Sequence, residues 1–408
     1  MAFRKRPSMR DCRPLRLMLV CGEPSGDQLG AQLMSAVRAL ESRVEFDGIG
    51  GPAMEGLGFR SLFPIDVTSV MGVDSILPRL LKILQRIRMA SDHALSTRPD
   101  AIVCIDSPEF THRIAQRVRR HDPSIATVNY VAPQVWAARQ YRAKKMSRYF
   151  DLVLALLPFE ASFLETHGLH ARFVGHPVVE RAARMTGGTA LRQRLAIPAT
   201  ATLLVLLPGS RSGEVHSLLP VFRETVAAVR AVIPDLVCVM PTVSHVAAAV
   251  RARTQDWPTP LHILDDDVDK YAAFATADAA LAASGTVTSE LALAGVPMAV
   301  AYKLGWLSSA VARAIVRVPH VTIVNLLLGR EAVPEFLQER CRADVIAPSL
   351  VRLFEDKGVR EQQKRDLREA VHLLGFDDEP PSIRAARALL DFVRERSRVS
   401  AQRASIGR

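Results

Sequence analysis

Short apolar runs of strand length recur along this chain and alternate with stretches in which apolar residues return at helical spacing. In the first half the runs are 15–21, 101–106, 126–131 and 151–157; in the second they are 203–207, 236–241, 262–264, 279–282 and 298–301. Strands alternating with helices predict doubly wound α/β sheets with parallel strands. A Gly/Thr patch, Met185-Thr186-Gly187-Gly188-Thr189, separates a sheet ending near Val174 from one beginning near Leu203. Two domains are therefore expected, 15–185 and 190–390, the second ending in a helix that could cross to the first. Basic tails are expected at 1–14, disordered, and at 391–408. A chain of 408 residues exceeds the usual span of one core, which agrees with two.

Two strand ends in the second half lead into turns of small residues. One is Leu207-Pro208-Gly209-Ser210-Arg211-Ser212-Gly213-Glu214, and the other is Ala283-Ser284-Gly285-Thr286-Val287-Thr288-Ser289-Glu290. Free backbone N–H groups where a strand becomes a helix bind phosphate. Arg211 adds a planar cation suited to a phosphate pair, and Glu290, just inside the second helix, is placed to accept from ribose hydroxyls. Together they point to a nucleotide-sugar site. Each stretch alone also reads as ordinary turn and N-cap chemistry, and only their recurrence in one half favours a ligand. Neither is a Walker loop or a Gly-x-Gly-x-x-Gly fingerprint. In the first half, Cys21-Gly22-Glu23-Pro24-Ser25-Gly26-Asp27-Gln28-Leu29-Gly30 follows the first strand, as a substrate-facing loop or as a plain strand-to-helix turn.

Composition narrows the class. Apolar residues make up 49% and charged residues 23%, an ordinary globular balance that excludes disorder for the body. The five cysteines are scattered without a Cys-x-x-Cys pair, which argues against a disulfide framework or a zinc site and for the cytoplasm. The longest apolar candidate, 291–316, is broken by Pro297, Lys303 and Arg313, so a soluble or peripheral protein is expected. A net charge of +11 suits anionic substrates, an anionic membrane or nucleic acid, but no nucleic-acid signature accompanies it. Ile76, Leu80, Leu81, Leu84 and Ile87 recur at helical spacing among Arg79, Lys82, Arg86 and Arg88, as in helices that lie on anionic lipid or in a core helix with a charged outer face.

In order along the chain, Gly22-Glu23-Pro24-Ser25-Gly26-Asp27, Gly48-Ile49-Gly50-Gly51-Pro52-Ala53-Met54, Tyr130-Val131-Ala132-Pro133-Gln134-Val135-Trp136-Ala137, Pro158-Phe159-Glu160, Val174-Gly175-His176-Pro177, Leu207-Pro208-Gly209-Ser210-Arg211, Ser284-Gly285-Thr286 and Pro334-Glu335-Phe336-Leu337-Gln338 resemble the lipid-A-disaccharide synthase family. The resemblance covers roughly residues 15–390 in many separated motifs. It implies a metal-independent, inverting glycosyltransferase of the two-Rossmann-domain (GT-B) type that needs no cofactor. The implied donor is UDP-2,3-diacylglucosamine and the implied acceptor 2,3-diacylglucosamine 1-phosphate (lipid X), on the cytoplasmic face of the inner membrane. The sequence leaves open whether the chain forms a homodimer. A UDP-N-acetylglucosamine transferase or epimerase of the same fold is the alternative.

The resemblance places the donor in the second domain, at Gly209, Ser210, Arg211, Ser284, Gly285, Thr286, Glu290, Asn325 and Gln338, and the acceptor in the first, at Ser25, Gly26, Asp27, Gln134, Arg139 and His176. Asp106, at a strand end in a motif like the family's Asp-x-Pro-[Asp/Glu]-Phe, is expected as the base, or else as a helix cap. Arg211 and the helix start at 284–286 are expected to stabilise the departing diphosphate. Asp265-Asp266-Asp267 reads as capping and solvated acid rather than as metal ligands. Thr111 and Ala138 stand where the family has Asn and Trp, which bears on acceptor contacts.

Overall fold

The computed structural model describes residues 13–65, 76–138, 140–303 and 318–406. The basic start at Arg4-Lys5-Arg6 and the acceptor candidate Arg139 lie outside the described residues. The chain forms two compact units. One runs to Pro177 and resumes at Asp378, and the other is Val178–Asp377. The division thus falls ahead of the Gly/Thr patch, where Gly188–Arg194 is already a helix of the second unit.

The first unit is built on a seven-stranded sheet: β1 (Leu15–Cys21), β2 (Val44–Ile49), β3 (Arg60–Ser61), β4 (Ala101–Ile105), β5 (Ala126–Tyr130), β6 (Leu152–Ala155) and β7 (Ala171–Phe173), in the order β3-β2-β1-β4-β5-β6-β7. The second has six strands: β8 (Thr202–Leu207), β9 (Leu236–Pro241), β10 (Leu261–Leu264), β11 (Ala279–Ala283), β12 (Met298–Tyr302) and β13 (Glu335–Leu337), in the order β10-β9-β8-β11-β12-β13. Every pairing in both sheets is parallel. Parallel strands need crossover helices, which bury both faces, so the central strands are apolar throughout. In β8, Leu203 and Val205 enter the core on one face while Leu204 and Leu206 enter the core on the other.

Strand order reverses between β1 and β4 in the first unit and between β8 and β11 in the second. The crevice outside the carboxyl ends of strands at such a switch point is where open α/β sheets receive ligands. The turns that follow these four strands are the ones the sequence marks out: 22–27, 106–111, 208–214 and 284–290.

The stretch expected as a basic tail from 391 is part of the helix Pro381–Ile406. Its apolar face, with Ala385, Leu389, Leu390 and Val393, joins the core of the first unit. Basic residues on it find partners there. Arg384 donates to the Phe173 carbonyl at 3.3 Å, Arg394 pairs with Glu41 at 3.1 Å, and Arg396 pairs with Asp151 at 3.1 Å.

Candidate active site

At the switch point of the second unit a cavity of about 340 Å³ opens between the turns after β8 and β11. Gly209, Ser210, Arg211, Ser284, Gly285, Thr286 and Glu290 all line it, so the structure brings together seven of the nine donor residues expected from sequence. Gly209 has φ 105° and sits against Glu214, where a side chain would be strained. The guanidinium of Arg211 is mostly exposed and donates to Glu214 Oε1 at 3.0 Å.

One expectation changes here. The amides of Ser210 and Arg211, expected free for phosphate, donate to Glu214 Oε2 at 3.2 and 3.3 Å. Glu214 is the third residue of the helix Ser212–Arg230 and closes a capping box, so its carboxylate holds the loop where a phosphate was expected. The opposite wall keeps its donors. Thr286 and Val287 begin the helix Thr286–Leu293 and have no preceding turn to bond to.

Glu290 is also differently employed. Its buried carboxylate takes an ion pair from Arg181, a second from Lys270 at 3.4 Å and a hydrogen bond from the Tyr271 hydroxyl at 3.1 Å. With these donors Glu290 orders the floor of the cavity, which it also lines. Lys270, which sequence reasoning missed, lines the cavity beside it. Burial works to lower the Lys270 pKa, but Glu290 and Asp267 outweigh it and raise it, so the cation persists. Asp266 caps the helix Asp267–Phe274 by accepting from the Asp269 amide at 2.7 Å.

The two remaining residues expected at the donor are not among those that line this cavity. Asn325 is fully buried and spends both donors on the Val333 carbonyl (2.8 Å) and Glu335 (2.9 Å), while its carbonyl accepts from the amides of Ala332 (2.8 Å) and Val333 (2.9 Å). Nothing is left to offer a nucleotide. Gln338 directly follows β13, in the left-handed region at φ 51°.

In the first unit, Asp106 and Ser107 both have positive φ, 53° and 45°, directly after β4. Consecutive non-glycine residues in that region are uncommon and cluster at functional sites. The Asp106 carboxylate accepts from the Ser107 amide at 2.8 Å and from the Ser25 hydroxyl at 3.2 Å, and it does not cap the helix Pro108–His121. Thr111, fully buried, braces the turn by donating to the Asp106 carbonyl at 2.8 Å.

The other acceptor candidates divide. Ser25 reaches Asp106, and Gly26 lets the helix Pro24–Leu40 approach β1 so closely that a Cβ would lie 2.9 Å from the Cys21 side chain. Asp27 is buried and accepts from the amides of Gly51 (2.8 Å), Ala53 (2.8 Å) and Met54 (3.1 Å), so it fixes the loop after β2 rather than facing a substrate. Gln134 is exposed in the turn after β5, and His176 is buried just before the chain enters the second unit. Glu160, buried with its pKa raised by desolvation, accepts from Trp136 Nε1 at 2.9 Å and from the amides of Leu156 and Leu157. It thereby ties the 131–138 turn to the end of β6.

Along the helix Ile76–Thr97, Leu81 is 64% and Leu84 44% exposed. Ile87 is not on that face: it is buried in the core of the first unit, and Ile83 packs beside it. The side chains of Ile76 and Leu80 lie outside the described residues. Among the described residues no helix is long and apolar enough to cross a membrane.

The two Rossmann-like units, each with its ligand crevice at the reversal of strand order, define a GT-B glycosyltransferase fold. Solved structures share it: the UDP-GlcNAc 2-epimerase of Neisseria meningitidis, bound to UDP-GlcNAc, superposes with a TM-score of 0.61 at 11% identity over 94% of this chain and 100% of that one. Acinetobacter baumannii MurG gives 0.55 at 14% identity, covering 94% and 100%. Sequence settles the family. The lipid-A-disaccharide synthetase family model matches residues 17–381. The lipid-A-disaccharide synthase of Rhodospirillum centenum is 46% identical over 94% of this chain and 96% of its own length, and that of Rhodopseudomonas palustris strain HaA2 is 44% identical over 93% and 97%. The chain belongs to the lipid-A-disaccharide synthetase family, and it is a glycosyltransferase.

Two residues into the helix that Asp106 and Ser107 introduce, the wall of the first unit turns charged, and within it His112 is buried. Burial first, and then Arg142, push its pKa from 6.5 down to about 4. The folded state therefore keeps the ring neutral where the unfolded chain would protonate it. This contribution to stability is complete above pH 6.5 and is lost as pH falls toward 4. Between about pH 7.5 and pH 4.5, denaturant unfolding of the wild type should lose up to about 3 kcal/mol more stability than unfolding of His112→Asn. Equal losses in the two proteins would show that His112 is not held neutral.

Proposed function

We propose that the protein joins UDP-2,3-diacylglucosamine to 2,3-diacylglucosamine 1-phosphate and releases UDP, forming the β-1′,6-linked disaccharide. The observation that carries this reading is family membership over nearly the whole chain with both switch-point turns intact. The cavity of the second unit takes the nucleotide diphosphate. Arg211, exposed at its rim, and the amides at the start of the helix Thr286–Leu293 face the phosphates, and Lys270 adds positive charge from the floor.

Asp106 is the base. Its carboxylate, aimed by Ser25 and by the Ser107 amide, takes the proton of the acceptor 6-hydroxyl as that oxygen bonds to the donor's anomeric carbon. The bond from that carbon to the β-phosphate oxygen breaks on the opposite face, so configuration inverts. UDP leaves with the electron pair, and the cations that face it stabilise the charge it gains. Both substrates carry acyl chains, and the protein meets them as a peripheral protein on the cytoplasmic face of the inner membrane. The helix Ile76–Thr97 supplies the contact, with Leu81 and Leu84 among the acyl chains and Lys82 and Arg88 exposed to anionic headgroups.

Asp106→Asn should leave UDP affinity intact and lower the rate of UDP release by roughly two to four orders of magnitude, with the loss in kcat. Turnover close to normal would reduce Asp106 to a former of the turn. Arg211→Ala should weaken transition-state stabilisation by on the order of 2 to 4 kcal/mol and weaken UDP binding in calorimetry. Unchanged UDP affinity would remove Arg211 from the site. Replacing Leu81 and Leu84 together by Asp should cut sedimentation with anionic vesicles by roughly tenfold or more, since two apolar side chains no longer bury. Equal sedimentation of the variant and the wild type would move the membrane contact elsewhere.

A further inference from the structure

The first unit contains a second cavity, of about 170 Å³, walled by the start of the helix Pro108–His121, by Pro133 and Val135, and by the helix Tyr141–Met146. Three cations meet there: Arg113, Arg142 and Lys145. Glu109 pairs with Arg142 at 2.6 Å, while Arg113 and Lys145 are exposed and form no salt bridge among the described residues. Three positive charges against one carboxylate leave an excess that suits a dianion.

The same wall includes His112, 7% exposed. Its Nδ1 lies 3.2 Å from the Tyr149 hydroxyl, and its Nε2 is buried with no partner among the described residues. Where the Tyr149 hydroxyl donates to Nδ1, the ring proton lies on Nε2. A buried N–H without an acceptor is costly, and its place in a cationic wall says which kind of acceptor would relieve it. None of these residues takes part in the proton transfer or faces the departing diphosphate.

We propose that this cavity binds a phosphate monoester, with Arg113, Arg142 and Lys145 neutralising the dianion and His112 Nε2–H donating to one of its oxygens. The proposal rests on the reading of the protein as a glycosyltransferase with a phosphorylated acceptor. Pro108 and Glu109 stand in this wall two and three residues beyond Asp106. An acceptor anchored here by its phosphate is held by the same turn that carries the base, and so is chosen over an acceptor without one.

The test is titration of the whole protein with glucosamine 1-phosphate, inorganic phosphate and glucosamine, followed by calorimetry. Both phosphates should bind and glucosamine should not. In a protein with Arg113→Gln and Lys145→Gln, both exposed, glucosamine 1-phosphate affinity should fall by about tenfold or more, and His112→Asn should weaken it as well. In turnover, the ratio of kcat/KM for phosphorylated over unphosphorylated diacylglucosamine should drop by a similar factor in the double variant. Unchanged affinity and an unchanged ratio would overturn the proposal while leaving the transfer reaction standing. If no sugar transfer is found at all, the calorimetry still decides whether the cavity binds phosphate. Vesicles containing phosphatidic acid separate a membrane source. If the double variant lost sedimentation but kept its glucosamine 1-phosphate affinity, these cations would belong to the lipid surface and the proposal would fail.

Discussion

Backbone amides at the ends of fully buried parallel strands must find acceptors, and in this protein carboxylates supply many of them. Where strands begin, Asp100 takes the amide of Arg16, Asp151 that of Thr127 and Asp278 that of Leu203. Asp27, Glu160 and Glu214, in helices that follow strands, and Glu335, at the start of β13, each hold two or more amides. Hydrogen bonds to charged groups contribute about 1.5–3 kcal/mol each, and leaving such an amide buried and unpaired costs a similar amount. The loops after β2, β6 and β8 are thus held in place by acids of the fold itself.

Against that background the turn at Asp106 is unusual. Two successive residues hold left-handed backbone, which costs of order 1–3 kcal/mol each, and Val131, β-branched, does the same at the end of neighbouring β5. The Thr111 hydroxyl, the Tyr130 carbonyl and the Asp106 carboxylate itself keep the turn in place. The strain is spent on turning one carboxylate out of the sheet with both oxygens already oriented. A carboxylate fixed in this way needs little reorganisation to act.

The fold was legible in the sequence because long apolar strands and a chain of family motifs pointed the same way. The strands that escaped notice, β2, β3, β7 and β13, are short or half-exposed, and Val44–Ile49 carries Glu45 and Asp47 among its apolar residues. The turns that line the cavity of the second unit were legible, because they are local features. What could not be read was how each acid is used. Asp27, Glu290 and Asn325 have the chemistry of ligand contacts, and a side chain that serves its own backbone or a neighbouring cation looks the same in a sequence. The amides of Ser210 and Arg211 were misjudged for the same reason, although Glu214, three residues after Arg211, carried the capping-box signal. Arg181 and Lys270 reach Glu290 only through the fold, and no local pattern announces them.

The helix Pro381–Ile406 gives the first unit a discontinuous chain, since its core closes only when Ala385, Leu389 and Val393 arrive. During synthesis from the N-terminus, Val178–Asp377 is complete as one continuous stretch while the unit that carries Asp106 still lacks a wall. The cavity of the second unit can thus be finished on the ribosome before the turn at Asp106 is secured. A nascent or truncated chain would pass through a state with its second unit complete and its first unit unclosed.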